Sequence, residues 1–214
     1  MALKVKICGI TRIKDAEFAI DNGADAIGIL LDVPIKPVRI LKKRAKLIIK
    51  KFSGKVWIFT LIFSKNPNVV IKTCNELKPS HVQIIHDFSL KDLTKIKESL
   101  FYTKMVKSVN VIDKSAIKKA INYSKIADII LLDTKFKNQL GGTGKTHDWN
   151  ISKEIVKQCK KPVFLAGGLH PGNVIEAIKI VKPYGVDVCT KLDKSIGIKD
   201  LKKVKEFLEI VKKA

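Results

Sequence analysis

Cysteine pairs, arginine and long apolar runs are all scarce in this sequence, and each scarcity closes off a class of protein. The four cysteines, Cys8, Cys74, Cys159 and Cys189, are scattered without a Cys-x-x-Cys pair. That spacing excludes a disulfide framework and offers no pattern for a zinc site, so no metal is expected. No stretch approaches the roughly 20 apolar residues of a membrane span. The segment from Met1 to Cys8 lacks the apolar stretch and cleavage site of a signal peptide. A cytoplasmic protein without a membrane partner is the expectation. No linker rich in Pro, Gly or Ser interrupts the chain, so one domain over residues 1–214 is expected. Only three of the 42 basic residues are arginines, Arg12, Arg39 and Arg44. The net charge of +22 has the sign of a polyanion binder, yet base-edge and phosphate readers rely on the arginine fork. The lysines are also dispersed over nearly every helical segment. Weak, salt-sensitive binding with no specific nucleic-acid partner is therefore expected, and an anionic small molecule suits the same charge. The densest run, from Arg39 to Lys55, holds eight cations and no acid, and its ordinary role is a solvated helix face.

What is present is a repeating alternation. Short apolar, β-branched runs at Leu3 to Cys8, Asp25 to Leu31, Lys55 to Phe63, His81 to Ile85, Lys104 to Val109, Asp128 to Asp133, Pro162 to Ala166 and Gly185 to Cys189 predict eight strands. Between them lie amphipathic patterns, clearest in Leu41, Ala45, Ile48 and Phe52 and in Leu201, Val204, Leu208 and Val211, whose three- and four-residue steps line one helix face. Strands that are apolar throughout are covered on both faces, which predicts a parallel sheet. Eight units of about 27 residues suffice for a closed (β/α)8 barrel. A barrel puts chemistry where strands end and the following loops begin.

Three strand ends carry polar or glycine-rich signals. Cys8-Gly9 follows the first strand; the cysteine is either a small core residue or a thiol pointing into the barrel mouth. Asp133 ends the sixth strand, and a long connection after it contains Gly141-Gly142-Thr143-Gly144-Lys145-Thr146-His147-Asp148-Trp149. A P-loop needs glycine where Gln139 stands, so the string fits a phosphate-contacting lid rather than a nucleotide site. Gly167-Gly168 follows the seventh strand, where barrels commonly hold phosphate and glycine allows close backbone approach.

Taken in order, Val5-Lys6-Ile7-Cys8-Gly9-Ile10-Thr11, Leu132-Asp133, Gly141-Gly142-Thr143-Gly144, Asp148-Trp149, Leu165-Ala166-Gly167-Gly168-Leu169, Asn173-Val174 and Gly185-Val186-Asp187-Val188 resemble the phosphoribosylanthranilate isomerase family. The likeness runs to Gly197-Ile198-Lys199-Asp200, almost the whole chain. It implies a (β/α)8 TIM barrel of the ribulose-phosphate-binding type. It also implies a cofactor-free and metal-free Amadori rearrangement of a phosphorylated small molecule by a monomer or homodimer. Cys8 matches the family's general base and Asp133 its general acid. The acid opens the furanose ring to a Schiff base, and the thiolate removes the proton from sugar C2. Gly142, Gly144, Gly167, Gly168, Asp187, Thr190 and Lys191 fall at positions implied to bind substrate.

Four departures from the family pattern stand out. Ser-Pro-Arg after the second strand becomes Lys36-Pro37-Val38-Arg39, which displaces by one residue the arginine that grips the anthranilate carboxylate; Arg39 is the candidate. Gln-Leu-His-Gly becomes Gln83-Ile84-Ile85-His86, leaving His86 either in that role or a loop histidine. His147 replaces the lid's phenylalanine. Ser-Ser-Gly in the last loop becomes Cys189-Thr190-Lys191. Lys191 there either pairs with phosphate directly or points to solvent. Rival readings are a paralogue acting on a related aminosugar phosphate and a non-catalytic barrel that binds anions or nucleic acid.

Overall fold

The computed structural model describes residues 2–31, 39–134 and 146–214. Eight strands form the barrel: β1 Lys4–Ile7, β2 Ala26–Leu31, β3 Trp57–Ile62, β4 His81–Ile84, β5 Lys104–Asn110, β6 Ile129–Asp133, β7 Val163–Leu165 and β8 Gly185–Val188. The helices between and after them are α1 Ile13–Asp21, α2 Lys42–Phe52, α3 Pro67–Leu77, α4 Leu90–Glu98, α5 Ser115–Ser124, α6 Trp149–Gln158, α7 Val174–Val181 and α8 Leu201–Lys212. Each strand pairs in parallel with its sequence neighbours, and β1 pairs with both β2 and β8, which closes the ring. The eight expected strands are all present, each near its predicted bounds.

Closure divides the apolar residues into two cores. Alternate residues of every strand face the helices, where Ile7, Ile29, Leu132 and Val186 pack with Ile48 and Phe207. The other alternates face inward, where Phe59, Val106, Leu131 and Phe164 fill the barrel. That is why the strands look uniformly apolar in sequence: neither face meets water. Helix ends are set locally. Asn66, Ser89, Asp148 and Asp200 accept backbone N–H groups at the starts of α3, α4, α6 and α8, satisfying donors that have no partner within the helix.

Two predicted stripe residues differ in place. Leu41 precedes α2 and is 68% exposed, so the buried stripe is Ala45, Ile48, Ile49 and Phe52. In α8 Phe207 joins Val204, Leu208 and Val211, while Leu201 stands half-buried at the helix start. An apolar residue at a helix's first turn can keep the period and still lie beyond the sheet it should cover.

The lower end of the barrel is sealed by aromatic rings. His81 stacks on Phe59 with ring centroids 4.5 Å apart and lies 5.3 Å from the ring of Trp57. Burial first, then the nearby Lys104, pushes its pKa down to about 4, so it is neutral at pH 7. Unfolding frees it to an ordinary value near 6.5. The unfolded chain therefore binds the proton first as pH falls, and stability drops through this window. Denaturant midpoints should show wild type losing about 2 kcal/mol between pH 7 and pH 5 relative to His81→Leu. Parallel pH curves for the two proteins would contradict the assignment.

Candidate active site

The site is built upward from the barrel's closing seam. On β1 and β8 Lys6 stands directly opposite Asp187, and both point inward. Lys6 Nζ donates to Asp187 Oδ2 at 2.7 Å and to Gln83 Oε1 at 3.2 Å, and it lies 5.1 Å from the Phe59 ring centroid. Gln83 Nε2 in turn donates to Ser108 Oγ at 3.1 Å, which carries the polar layer across β4 and β5. Burial opposes the ammonium charge of Lys6, but Asp187 and the thiol of Cys8 outweigh it and hold the pKa above its ordinary value. Asp187 Oδ1 has no hydrogen-bond partner among the described residues.

One layer nearer the mouth, Cys8 and Cys189 fall opposite each other on the closing strands, and each acts on the other's proton affinity. Cys189 first, and burial second, raises the Cys8 thiol well above its usual range, while Lys6 pulls the other way. Cys189 is lowered, first by Cys8 and then by Lys199, against the cost of burial. Asp133 ends β6 at the same mouth and accepts the Thr134 backbone N–H at 2.7 Å. Burial pushes its pKa up to about 6; Asp187 adds to the rise, while the Thr134 N–H and Lys6 oppose it. A carboxyl held there is a usable proton donor near neutral pH.

The rim follows. Gly167 and Gly168 have φ of 87° and 68°, a region open to glycine but strained for other residues. A Cβ on Gly167 would collide with Thr134 Oγ1. Thr134 also joins His147 Nδ1 at 2.8 Å, and His147 Nε2 joins Ser152 Oγ at 2.6 Å. Half-buried, with desolvation pushing its pKa down to about 4, His147 is a neutral tie between the end of β6 and α6. Its neighbour Asp148 caps α6. The part of the lid containing Gly142 and Gly144 lies outside the described residues, as do Lys36, Pro37 and Val38.

Arg39 opens a two-residue strand paired with Leu30 at the mouth end of β2, and it is exposed. His86 meets Phe63 edge-on, with ring centroids 4.6 Å apart. After β8 the chain forms a 3-10 turn, Thr190–Leu192, with Thr190 and Lys191 exposed. A short antiparallel pair, Asp193–Ser195 with Ile198–Lys199, then folds back over the seam. It buries Lys199, whose Nζ donates to Asp193 Oδ1 at 2.6 Å and to the Cys189 carbonyl at 3.0 Å.

Cys8, Asp133, Gly167, Gly168, Asp187, Arg39, Thr190 and Lys191 thus all belong to one end of the barrel. The sequence reading missed Gln83, Ser108, Cys189 and Lys199 as parts of the site. A signal for Cys189 existed: Lys6-x-Cys8 and Asp187-x-Cys189 have the same spacing on the first and last strands, which closure must pair.

A ring of eight parallel strands with a thiol and a raised carboxyl at its C-terminal mouth defines a (β/α)8 barrel equipped for proton transfer. The family profile described as N-(5'phosphoribosyl)anthranilate (PRA) isomerase matches residues 5–210. The chain belongs to that family. It is 40% identical over 210 residues to N-(5'-phosphoribosyl)anthranilate isomerase of Methanocella arvoryzae, covering 98% of each chain. It is 38% identical to the protein of that name from Methanocaldococcus jannaschii, covering 99% of this chain and 97% of the relative. The solved phosphoribosyl anthranilate isomerase of Thermotoga maritima superposes with a TM-score of 0.88 at 31% identity, over 99% of this chain and 100% of that one. No helix among the described residues is long and apolar enough to cross a membrane.

The buried pair at the seam yields a stability prediction. Lys6→Met leaves Asp187 charged and unpaired and should cost about 3–5 kcal/mol in urea unfolding. Lys6→Met combined with Asp187→Leu should regain most of that, because no uncompensated charge stays buried. A single variant within about 1 kcal/mol of wild type would show that the pair carries little.

Proposed function

We propose that this chain isomerises N-(5'-phosphoribosyl)anthranilate to 1-(2-carboxyphenylamino)-1-deoxyribulose 5-phosphate, the Amadori step of tryptophan biosynthesis, in the cytoplasm and without a specific nucleic-acid partner. The observation that carries the reading is the thiol of Cys8 and the raised carboxyl of Asp133 at one mouth, tied to the same buried Lys6–Asp187 pair. A solved phosphoribosyl anthranilate isomerase, 28% identical with a TM-score of 0.84 over 99% of this chain and all of that one, is in complex with reduced 1-(o-carboxyphenylamino)-1-deoxyribulose 5-phosphate. That supports a phosphorylated ketose of this kind as the product class.

The chemistry needs two proton movements on opposite parts of one sugar. Protonated Asp133 donates to the furanose ring oxygen; the bond from that oxygen to C1 breaks and leaves a protonated Schiff base. Cys8 as thiolate then takes the proton from C2, and the C–H electrons form the enolamine. Return of a proton to C1, with loss of the C2 hydroxyl proton to the Asp133 carboxylate, gives the aminoketose and restores both groups. Gly167 and Gly168 bring backbone N–H groups to the phosphate, with Gly142, Gly144 and Thr190 completing its surround. Arg39 pairs with the anthranilate carboxylate from the rim. Asp187, engaged with Lys6 through one oxygen, offers the other to a sugar hydroxyl.

Fluorescence decay of freshly prepared phosphoribosylanthranilate on adding the protein tests the activity directly; its absence would leave the related-aminosugar reading. Cys8→Ser and Asp133→Asn should each lower kcat by ~10²–10⁴-fold with KM little changed, since each removes a proton transfer and leaves the anion grips in place. More than about a tenth of wild-type kcat in either variant would remove that residue from its role. Lys191→Ala should lower kcat/KM by about ten- to a hundredfold, mainly through KM, if its exposed ammonium holds the phosphate. An unchanged KM in Lys191→Ala and Lys191→Gly alike would make it a bystander.

A further inference from the structure

Cys189 lies in the working layer of the barrel without a part in the reaction as described. The Cys8 backbone N–H donates to the Val188 carbonyl at 2.8 Å. This continues the ladder that pairs Lys6 with Asp187 and Ile7 with Val188, so Cys8 falls opposite Cys189. Side chains two residues apart share a face, and both sulfurs therefore stand directly above the Lys6–Asp187 pair. They occupy space that two glycines leave open. A Cβ on Gly28 would lie 2.6 Å from Cys8 Sγ, and one on Gly9 would lie 2.8 Å from Cys189 Sγ and 3.3 Å from Lys199 Nζ.

We propose that Cys189 is a positioning residue of the reaction: the two thiols hold one proton and one negative charge between Lys6 and Lys199, and Cys189 takes the Cys8 proton when Cys8 becomes the base. This rests on the isomerase reading above.

The surrounding charges explain why the pair carries a single charge. Lys6 and Asp187 face it from β1 and β8, and Asp133 on β6 interacts with both of those charges. Lys199 and Asp193 cover it from the short strand pair. Asp15, at the start of α1, accepts the Lys199 backbone N–H and is bridged by Arg12. Among the described residues each of these cations already has a carboxylate, so two adjacent thiolates would repel with none of these cations free to offset them. One thiolate keeps an ammonium on either side. On this proposal it rests on Cys189, whose carbonyl accepts from Lys199 Nζ at 3.0 Å and whose thiol is the one lowered, while the Cys8 thiol is raised and keeps its proton. In turnover the Cys8 S–H proton passes to Cys189 Sγ, and Cys8 thiolate forms a new S–H bond with the sugar C2 proton. Both sulfurs are then protonated. Delivery of the Cys8 proton to C1 returns the pair to one proton and one charge.

The test uses thiolate absorbance near 240 nm against pH without substrate, in a Cys159→Ser background that removes the partly exposed thiol just after α6. Cys8→Ser should keep a low-pH thiolate step, because Cys189 retains Lys199. Cys189→Ser and Cys189→Ala should move the remaining step upward by about one pH unit or more. The ascending limb of kcat/KM against pH should move with it. Activity at neutral pH should then fall about tenfold, recover at alkaline pH and leave KM nearly constant. A merely structural role would lower activity at every pH. A thiolate step unmoved by Cys189→Ser, or abolished by Cys8→Ser, overturns the pair. The absorbance needs no substrate, so it decides the pair even for a protein inactive on phosphoribosylanthranilate, and an active enzyme with an unmoved step sinks only the pair.

Discussion

A buried ammonium at the seam of the barrel is the constraint on which the site depends. Lys6 is fully buried, and an isolated charge there would cost far more than the protein's net stability. It is tolerated because closure brings β8 alongside β1, placing Asp187 in register at 2.7 Å. Gln83 accepts a second hydrogen bond and the Phe59 ring takes a third side. The same two charges then act in opposite senses on Cys8 and Asp133. Lys6 lowers both pKa values and Asp187 raises both. With those influences opposed, burial decides for Asp133 and leaves a carboxyl that titrates at about 6. An acid and a base can thus be tuned separately within one small mouth, because each answers chiefly to its immediate surroundings.

How much of this could be read in the sequence depended on what each residue's pattern could distinguish. The eight strands were legible because β-branched runs recur between amphipathic segments, and Cys8 and Asp133 because polar residues at strand ends of a barrel are expected to do chemistry. The interior polar layer was not. When both faces of a strand are buried the period-two alternation vanishes, so nothing local told that Lys6, Gln83, Ser108 and Asp187 point inward while Ile7, Ile84, Val109 and Val186 point at helices. His147 was hidden for a related reason. Its role follows from Thr134 and Ser152, partners 13 and 5 residues away that meet only once β6 and α6 pack side by side. Lys199 likewise looks like any surface lysine of this lysine-rich chain until the short strand pair folds it over Cys189.

The large positive charge separates into two populations. Lys4, Lys42, Lys51, Lys97 and Lys119 each meet one carboxylate on partly or fully exposed ground, and pairs of that kind contribute little stability apiece. Lys6 and Lys199 are buried and each is neutralised by its own aspartate, while buried Lys107 shares Asp87 with Lys119. Among the described residues the excess therefore resides mainly on the outside, spread over many helices, where it can draw small anions toward the protein. Within the mouth the described charges form two neutral pairs, Lys6–Asp187 and Lys199–Asp193.

The loop after β8 shows how a departure from the family pattern can be accommodated. Lys191 stands where the family has glycine, but the 3-10 turn keeps it out of the positive-φ region, so the backbone bears no strain from the side chain. Positive φ is retained at Gly167 and Gly168 instead, and there Thr134 leaves no room for a Cβ on Gly167. The demand for close backbone approach thus falls on the loop after β7. The loop after β8 is free to vary in chemistry, and it does so at both ends: a sulfur at Cys189 turned inward against Cys8, and an ammonium at Lys191 turned outward to the rim. On the isomerase reading proposed above, a change at the first alters proton transfer and a change at the second alters grip, and neither residue belongs to the Lys6–Asp187 seam beneath them.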